Sequence, residues 1–156
     1  MLKPVHQWHR GSDGQGGFEK PRLVETLDEA RAVAANLVTP ETPVLVQEMV
    51  TGGRFEHHQF FRADGRILAR VTFGVERQWP PFGISALRTT VEPPPDTGVW
   101  AQQLVEAMDI EGCSSVQFKR DEHGRARLME VNARLVQTLG AARLAGVDFA
   151  RLQLEW

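Results

Sequence analysis

The stretch from residue 115 to 132 constrains this chain more than any other. Two runs, 115–119 and 126–132, alternate polar and apolar residues on either side of His123-Gly124, a two-residue turn signal. With that turn, Gln117 lies opposite Glu130. Asn132 then projects from the same face as Glu130, because side chains alternate along a strand. Val116, Phe118, Met129 and Val131 share the other face and pack on a core. One carboxylate and two amide oxygens on one face suit Mg²⁺, a hard cation that takes few protein ligands and completes its shell with water or phosphate. A half-buried strand pair with a wetted outer face shows the same alternation, so pattern alone leaves both readings open.

Around this hairpin the chain reads as mixed α and β. Residues 2–8 form a short strand, followed by a glycine-rich loop, His9-Arg10-Gly11-Ser12-Asp13-Gly14-Gln15-Gly16-Gly17, and a return strand over 22–25. Thr26-Leu27-Asp28-Glu29 is a capping box opening a helix, with Ala30, Val33, Ala34 and Leu37 on one face. Val44 to Val50 reads as a buried-type strand. A hairpin over 55–61 and 66–73 turns at Asp64-Gly65. Residues 77–84 hold two prolines and a glycine and read as a loop, and Pro93-Pro94-Pro95 as a stiff connection. Helices are expected over 99–108, with Trp100, Leu104, Val105 and Met108 on its apolar face, and over 138–144, ended by Gly146.

At 156 residues the chain holds one ordinary domain or two small lobes, and its net charge of −2 provides no basic face for nucleic acid. No apolar run is long enough to cross a bilayer, and the first residues lack a secretory pattern. A single cysteine, Cys113, excludes a disulfide framework and reads as a small buried side chain; a cytoplasmic location is the default expectation. His57 and His58 are adjacent, so on a strand they point to opposite faces and make a poor joint zinc site. No Gly-Lys-Ser/Thr follows the glycine loop, so it is not a Walker A loop. No serine or cysteine triad is evident.

Met129-Glu130-Val131-Asn132-Ala133-Arg134 resembles the Glu-x-Asn-Pro-Arg signature of ATP-grasp enzymes, with Ala133 in place of the usual proline. Val116-Gln117-Phe118 is similar to the strand supplying their other metal ligand, in the form with glutamine seen in the carbamoyl-phosphate-synthetase-like branch. Further matches follow in the family's order. Lys3-Pro4 resembles its phosphate-reaching lysine. The loop bearing Gly14, Gly16 and Gly17 falls where the family has a phosphate lid. Gln47-Glu48-Met49-Val50 resembles its adenine hinge, and Glu56 falls near its ribose-binding position. Arg77 lies in a segment like the one that closes on substrate.

The resemblance implies an α+β ATP-grasp fold of two small lobes with antiparallel sheets holding ATP between them. A partial small lobe would span residues 1–50, and a large lobe with the metal hairpin residues 51–156. It further implies ATP and Mg²⁺ as cofactors, Mn²⁺ being an acceptable substitute, with Gln117, Glu130 and Asn132 as metal ligands. Arg134, Lys3 and Arg77 would be the catalytic groups. Gly14, Gly16, Gly17, Gln47, Glu48, Met49, Val50 and Glu56 would hold nucleotide. The expected reaction activates a small-molecule carboxylate as an acyl phosphate for attack by an amine. The family's amino-terminal domain is expected to be missing or supplied by a partner chain. The alternatives are a non-catalytic ATP-binding module and a domain whose exposed sheet edge associates with another chain.

Overall fold

The computed structural model describes residues 1–4, 8–10, 16–18, 21–37, 43–79 and 84–156. They fall into two compact units, Met1–Met49 and Val50–Trp156.

In the first unit, β1 (Leu2–Pro4) pairs antiparallel with β4 (Val44–Val46), and β2 (Trp8–Arg10) with β3 (Gly16–Phe18). The single strand expected over residues 2–8 is thus two strands, and Gly16 and Gly17 sit in a ladder rather than a loop. The return strand expected over 22–25 is reduced to an isolated bridge between Leu2 and Arg22. β4 is also shorter and wetter than a buried-type strand. Among the described residues it has one partner, and Leu45 and Val46 are exposed.

Helix α1 (Leu27–Leu37) opens on the capping box. The Glu29 amide donates to Thr26 Oγ1 at 3.2 Å, and the Glu25 and Thr26 amides donate to Glu29 Oε2 at 2.9 and 3.3 Å. Those backbone donors hold the Glu29 carboxyl below its ordinary range. Thr26→Ala is expected to cost roughly 1 kcal/mol, read as faster amide exchange through the first turn of α1.

The second unit is a five-stranded antiparallel sheet in the order β7-β6-β5-β8-β9. Its strands are β5 (Phe55–Ala63), β6 (Arg66–Trp79), β7 (Ile84–Thr90), β8 (Gly112–Arg120) and β9 (Ala126–Asn132). Asp64 and Gly65, at φ 50 and 74°, form the two-residue turn between β5 and β6. Both take the left-handed conformation that this hairpin turn demands. β6 runs six residues further than expected, so Arg77 is a strand residue; Pro80, Pro81 and Gly83, which suggested a loop, lie outside the described residues.

Helix α2 (Pro95–Ala107) begins at the third proline, because a first-turn residue needs no amide donor. It buries Thr97, Ala101 and Val105 on one sheet face, where Phe60, Val116 and Phe118 complete the core. Trp100 and Met108, expected on the buried stripe, are exposed: the stripe that packs is turned toward the smaller residues.

On the opposite face, α3 (Leu139–Leu144) and α4 (Phe149–Glu155) cover one end of the sheet. Phe61, Phe73, Cys113, Ala142 and Phe149 pack there. α4 was not expected. Asp148 caps it by accepting the Arg151 amide at 3.1 Å. Cys113 is buried as anticipated, and burial pushes its thiol up to about 11. The other end of this face is left open by the helices.

Candidate functional site

The open end of the sheet carries a row of side chains fixed by strand register. His57 on β5 is opposite Gln117 on β8, and Gln117 is opposite Glu130 on β9. Ser115 is opposite Asn132. The Gln117–Glu130 pairing is the one expected, although the turn is not. The loop spans residues 121–125, with Arg120 opposite Ala126, and a bulge on β9 opposite Gln117 and Phe118 absorbs the difference. Met129 occupies that extra position and is exposed rather than packed with Phe118.

A cavity of about 360 Å³ lies over this row. Gln117, Glu130, Asn132 and Arg134 line it together, and Gln117 Nε2 donates to Glu130 Oε2 at 3.3 Å. The donor set is hard oxygen throughout: one carboxylate and two amides, with the cavity open for phosphate or water. That chemistry fits Mg²⁺ or Mn²⁺ and not zinc. Among the described residues no group of three or more His, Cys, Asp or Glu is arranged to hold a metal ion, and His57 and His58 point to opposite faces. Arg134 donates from Nη1 to the Leu135 carbonyl at 3.1 Å, which leaves most of its donors free for an anion.

Three further lining residues were not among the site residues expected from the sequence, His57 having been weighed only as half of a poor zinc pair. His57 is 6% exposed, and burial and the nearby Arg88 cation pull its imidazole down to about 4, so it is neutral at pH 7. Arg88 and Ser85 reach the cavity from β7. Nothing in the sequence indicated which face of this segment lines the cavity.

The remaining candidates are distributed differently. Arg77 lines a second cavity, about 330 Å³, with Gly52, Gly53 and Lys119; Phe55, Val75 and Gln78 belong to both cavities. Lys119 donates from Nζ to the Val50 carbonyl at 2.5 Å. Glu56 faces α2, not the cavity. It is 1% exposed and is held by Arg120 Nε at 2.8 Å and Thr97 Oγ1 at 2.5 Å. Both its oxygens are thus engaged inside the protein, which leaves none for the ribose contact expected of it. Gln47, Glu48 and Met49 follow β4 as irregular backbone, and Gln47 exchanges two hydrogen bonds with Met1, each 2.9 Å. Lys3 lies on β1, but its side chain, like Gly14, is outside the described residues.

Residues 67–156 match the family described as "ATP-grasp in the biosynthetic pathway with Ter operon". Among solved structures, the chain is similar to the crystal structure of L-amino acid ligase from Bacillus licheniformis, at a TM-score of 0.63 and 17% identity. That alignment covers 98% of this chain and 39% of the ligase. At this identity the likeness concerns the fold. No curated protein matches. No helix among the described residues is long and apolar enough to cross a membrane.

Proposed function

We propose, from the premise that this chain belongs to the ATP-grasp family found in the biosynthetic pathway with the Ter operon, that it is the ATP- and Mg²⁺-binding part of a carboxylate–amine ligase. The observation that carries the reading is the cavity wall on which Gln117, Glu130, Asn132 and Arg134 stand together. When bound, Mg·ATP supplies a phosphoryl group to a carboxylate, and the resulting acyl phosphate is open to attack by an amine.

The chain's part is positioning and charge neutralisation rather than covalent chemistry. Glu130 carries the negative charge that holds the cations, and Gln117 and Asn132 add neutral oxygens. Arg134 presents a planar fork of donors to phosphate oxygens. Helices α3 and α4 cover one end of the face and bound the cavity there. Lys3 and the glycines Gly14, Gly16 and Gly17 are proposed to meet ATP phosphates, and Gln47 to Val50 the adenine. Arg77 is proposed to meet substrate from the second cavity.

A calorimetric titration of ATP into the full chain, with and without Mg²⁺, tests this reading. Saturable binding that needs Mg²⁺ is expected. Glu130→Ala is expected to weaken it at least about tenfold, roughly 1.4 kcal/mol. Absence of binding to a folded chain at millimolar nucleotide would overturn the assignment. The second reading is a module that binds nucleotide without turnover. Mg·ATP binding without phosphate release in the presence of carboxylates and amines would favour it.

A further inference from the structure

The cavity is polarised. Its metal-binding wall stands on β8 and β9, and its other wall stands on β5 and β7, where His57, Ser85 and Arg88 lie. On that second wall, His57 Nε2, Ser85 Oγ and Arg88 Nη1 are buried without a hydrogen-bond partner. Arg88 Nη2 donates to the Ser85 carbonyl at 3.2 Å, and among the described residues no carboxylate pairs with the guanidinium. Buried polar atoms are nearly always satisfied, so three orphans lining one cavity need an explanation beyond packing. Burial lowers the guanidinium's pKa and, with Arg88 nearby, that of the imidazole. An anion placed between them would relieve both. Arg88 is therefore an unspent cation in a partly dry wall.

Distance decides what kind of anion fits. β7 and β9 are the two edges of the sheet, four strand spacings apart. At about 4.8 Å per spacing, this separates Arg88 and Glu130 by roughly 19 Å of backbone. A ligand with two carboxylates meets both walls without either long side chain having to extend across the cavity. Building on the ligase reading above, we infer that the substrate is bifunctional: one carboxylate is activated beside Glu130 and Arg134, and a second carboxylate is gripped by Arg88 with Ser85 and His57. The ligand class is a small dicarboxylate or an acidic amino acid. The guanidinium fork suits it because it binds a carboxylate through two parallel hydrogen bonds.

The test titrates the full chain with malonate, succinate, glutarate, adipate, L-aspartate and L-glutamate, with butyrate and inorganic phosphate as comparators. Calorimetry gives affinity, and the His57 ring resonances at fixed neutral pH report location. At least one dicarboxylate is expected to shift His57 saturably and to bind about tenfold or more tighter than butyrate. Arg88→Met is expected to weaken that ligand at least about tenfold, Arg88→Lys to recover part of it, and Mg·ATP affinity to stay within about twofold in both. Three results would overturn the inference: no member of the panel binding at tens of millimolar, butyrate matching the best dicarboxylate, or Arg88→Met weakening Mg·ATP or phosphate as much as the dicarboxylate. The last would make Arg88 a nucleotide-phosphate contact. Mg·ATP binding and its loss in Glu130→Ala are measured separately, so failure here is distinguishable from failure of the ATP-grasp reading.

Discussion

Arg120→Met is expected to destabilise the second unit by about 3–5 kcal/mol, the cost of stripping one partner from a buried ion pair. Arg120 stands at the end of β8 and points to the α2 face. Its Nε donates to Glu56 at 2.8 Å, its two terminal nitrogens grip Asp96 at 2.9 and 2.8 Å, and Nη1 also reaches the Gly124 carbonyl at 3.1 Å. One side chain thus ties β5, the first turn of α2 and the loop between β8 and β9. Removing it leaves Glu56, 1% exposed, with Thr97 as its one close donor. The Asp96 contact adds less, because Asp96 is 38% exposed and screened by solvent.

The pairing gives a pH signature. Arg120 holds the Asp96 carboxyl at about 2, below the ordinary 3.8. A depressed folded-state value contributes stability that is present above the unfolded pKa and lost as pH falls toward about 2. Arg120→Met should therefore show a shallower loss of stability between pH 4 and pH 2. Urea unfolding at neutral and acid pH measures both effects. The double variant Glu56→Met/Arg120→Met is expected to be more stable than Arg120→Met alone, since it removes the stranded charge. A single variant as stable as wild type at neutral pH would show that the network is solvated and structurally idle.

The network also shows where sequence reading stops. Local chemistry was legible wherever a short stretch determines its own geometry: Thr26 and Glu29 cap α1, and Asp64-Gly65 turns the first hairpin. The pairing of Gln117 with Glu130 was legible for a less direct reason. The loop at residues 121–125 is longer than a two-residue turn, and the bulge at Met129 restores the frame, so Gln117 meets Glu130 through two departures that cancel. Register is constrained by which face is buried, and Val116 and Phe118 had to stay inside. What was hidden depends on partners distant in sequence. Glu56 was expected near ribose because Arg120, 64 residues away, cannot be paired with it from the sequence. Arg88 and His57 share a wall only because β7 and β5 both flank β6. α4 carried a readable cap in Asp148, but its seven residues are too short for periodicity to stand out.

Arg134→Met is expected to lower carboxylate-dependent phosphate release by about 10²–10³-fold, roughly 2.7–4 kcal/mol of transition-state stabilisation. The side chain is exposed and its one hydrogen bond is to the neighbouring Leu135 carbonyl, so nothing in the fold depends on it. Stability should stay within about 0.5 kcal/mol of wild type. The consequence falls instead on the charge that develops as a phosphoryl group passes between oxygens, where a preorganised guanidinium acts without reorganising. In the proposed reading Glu130 is the main ground-state contact for Mg·ATP, so its affinity should change by less than about threefold, which separates a transition-state contact from uniform binding. Arg134→Lys restores the charge but not the planar fork, and should recover part of the rate. The assay follows phosphate release from Mg·ATP with the carboxylate that best occupies the cavity, using hydroxylamine to trap the activated acyl group as a hydroxamate. If Arg134→Met weakens Mg·ATP in proportion to the rate, the arginine holds ground-state phosphate and adds nothing specific to the transfer. If neither rate nor affinity moves, the charge neutralisation assigned to it falls to the cations at Glu130 alone.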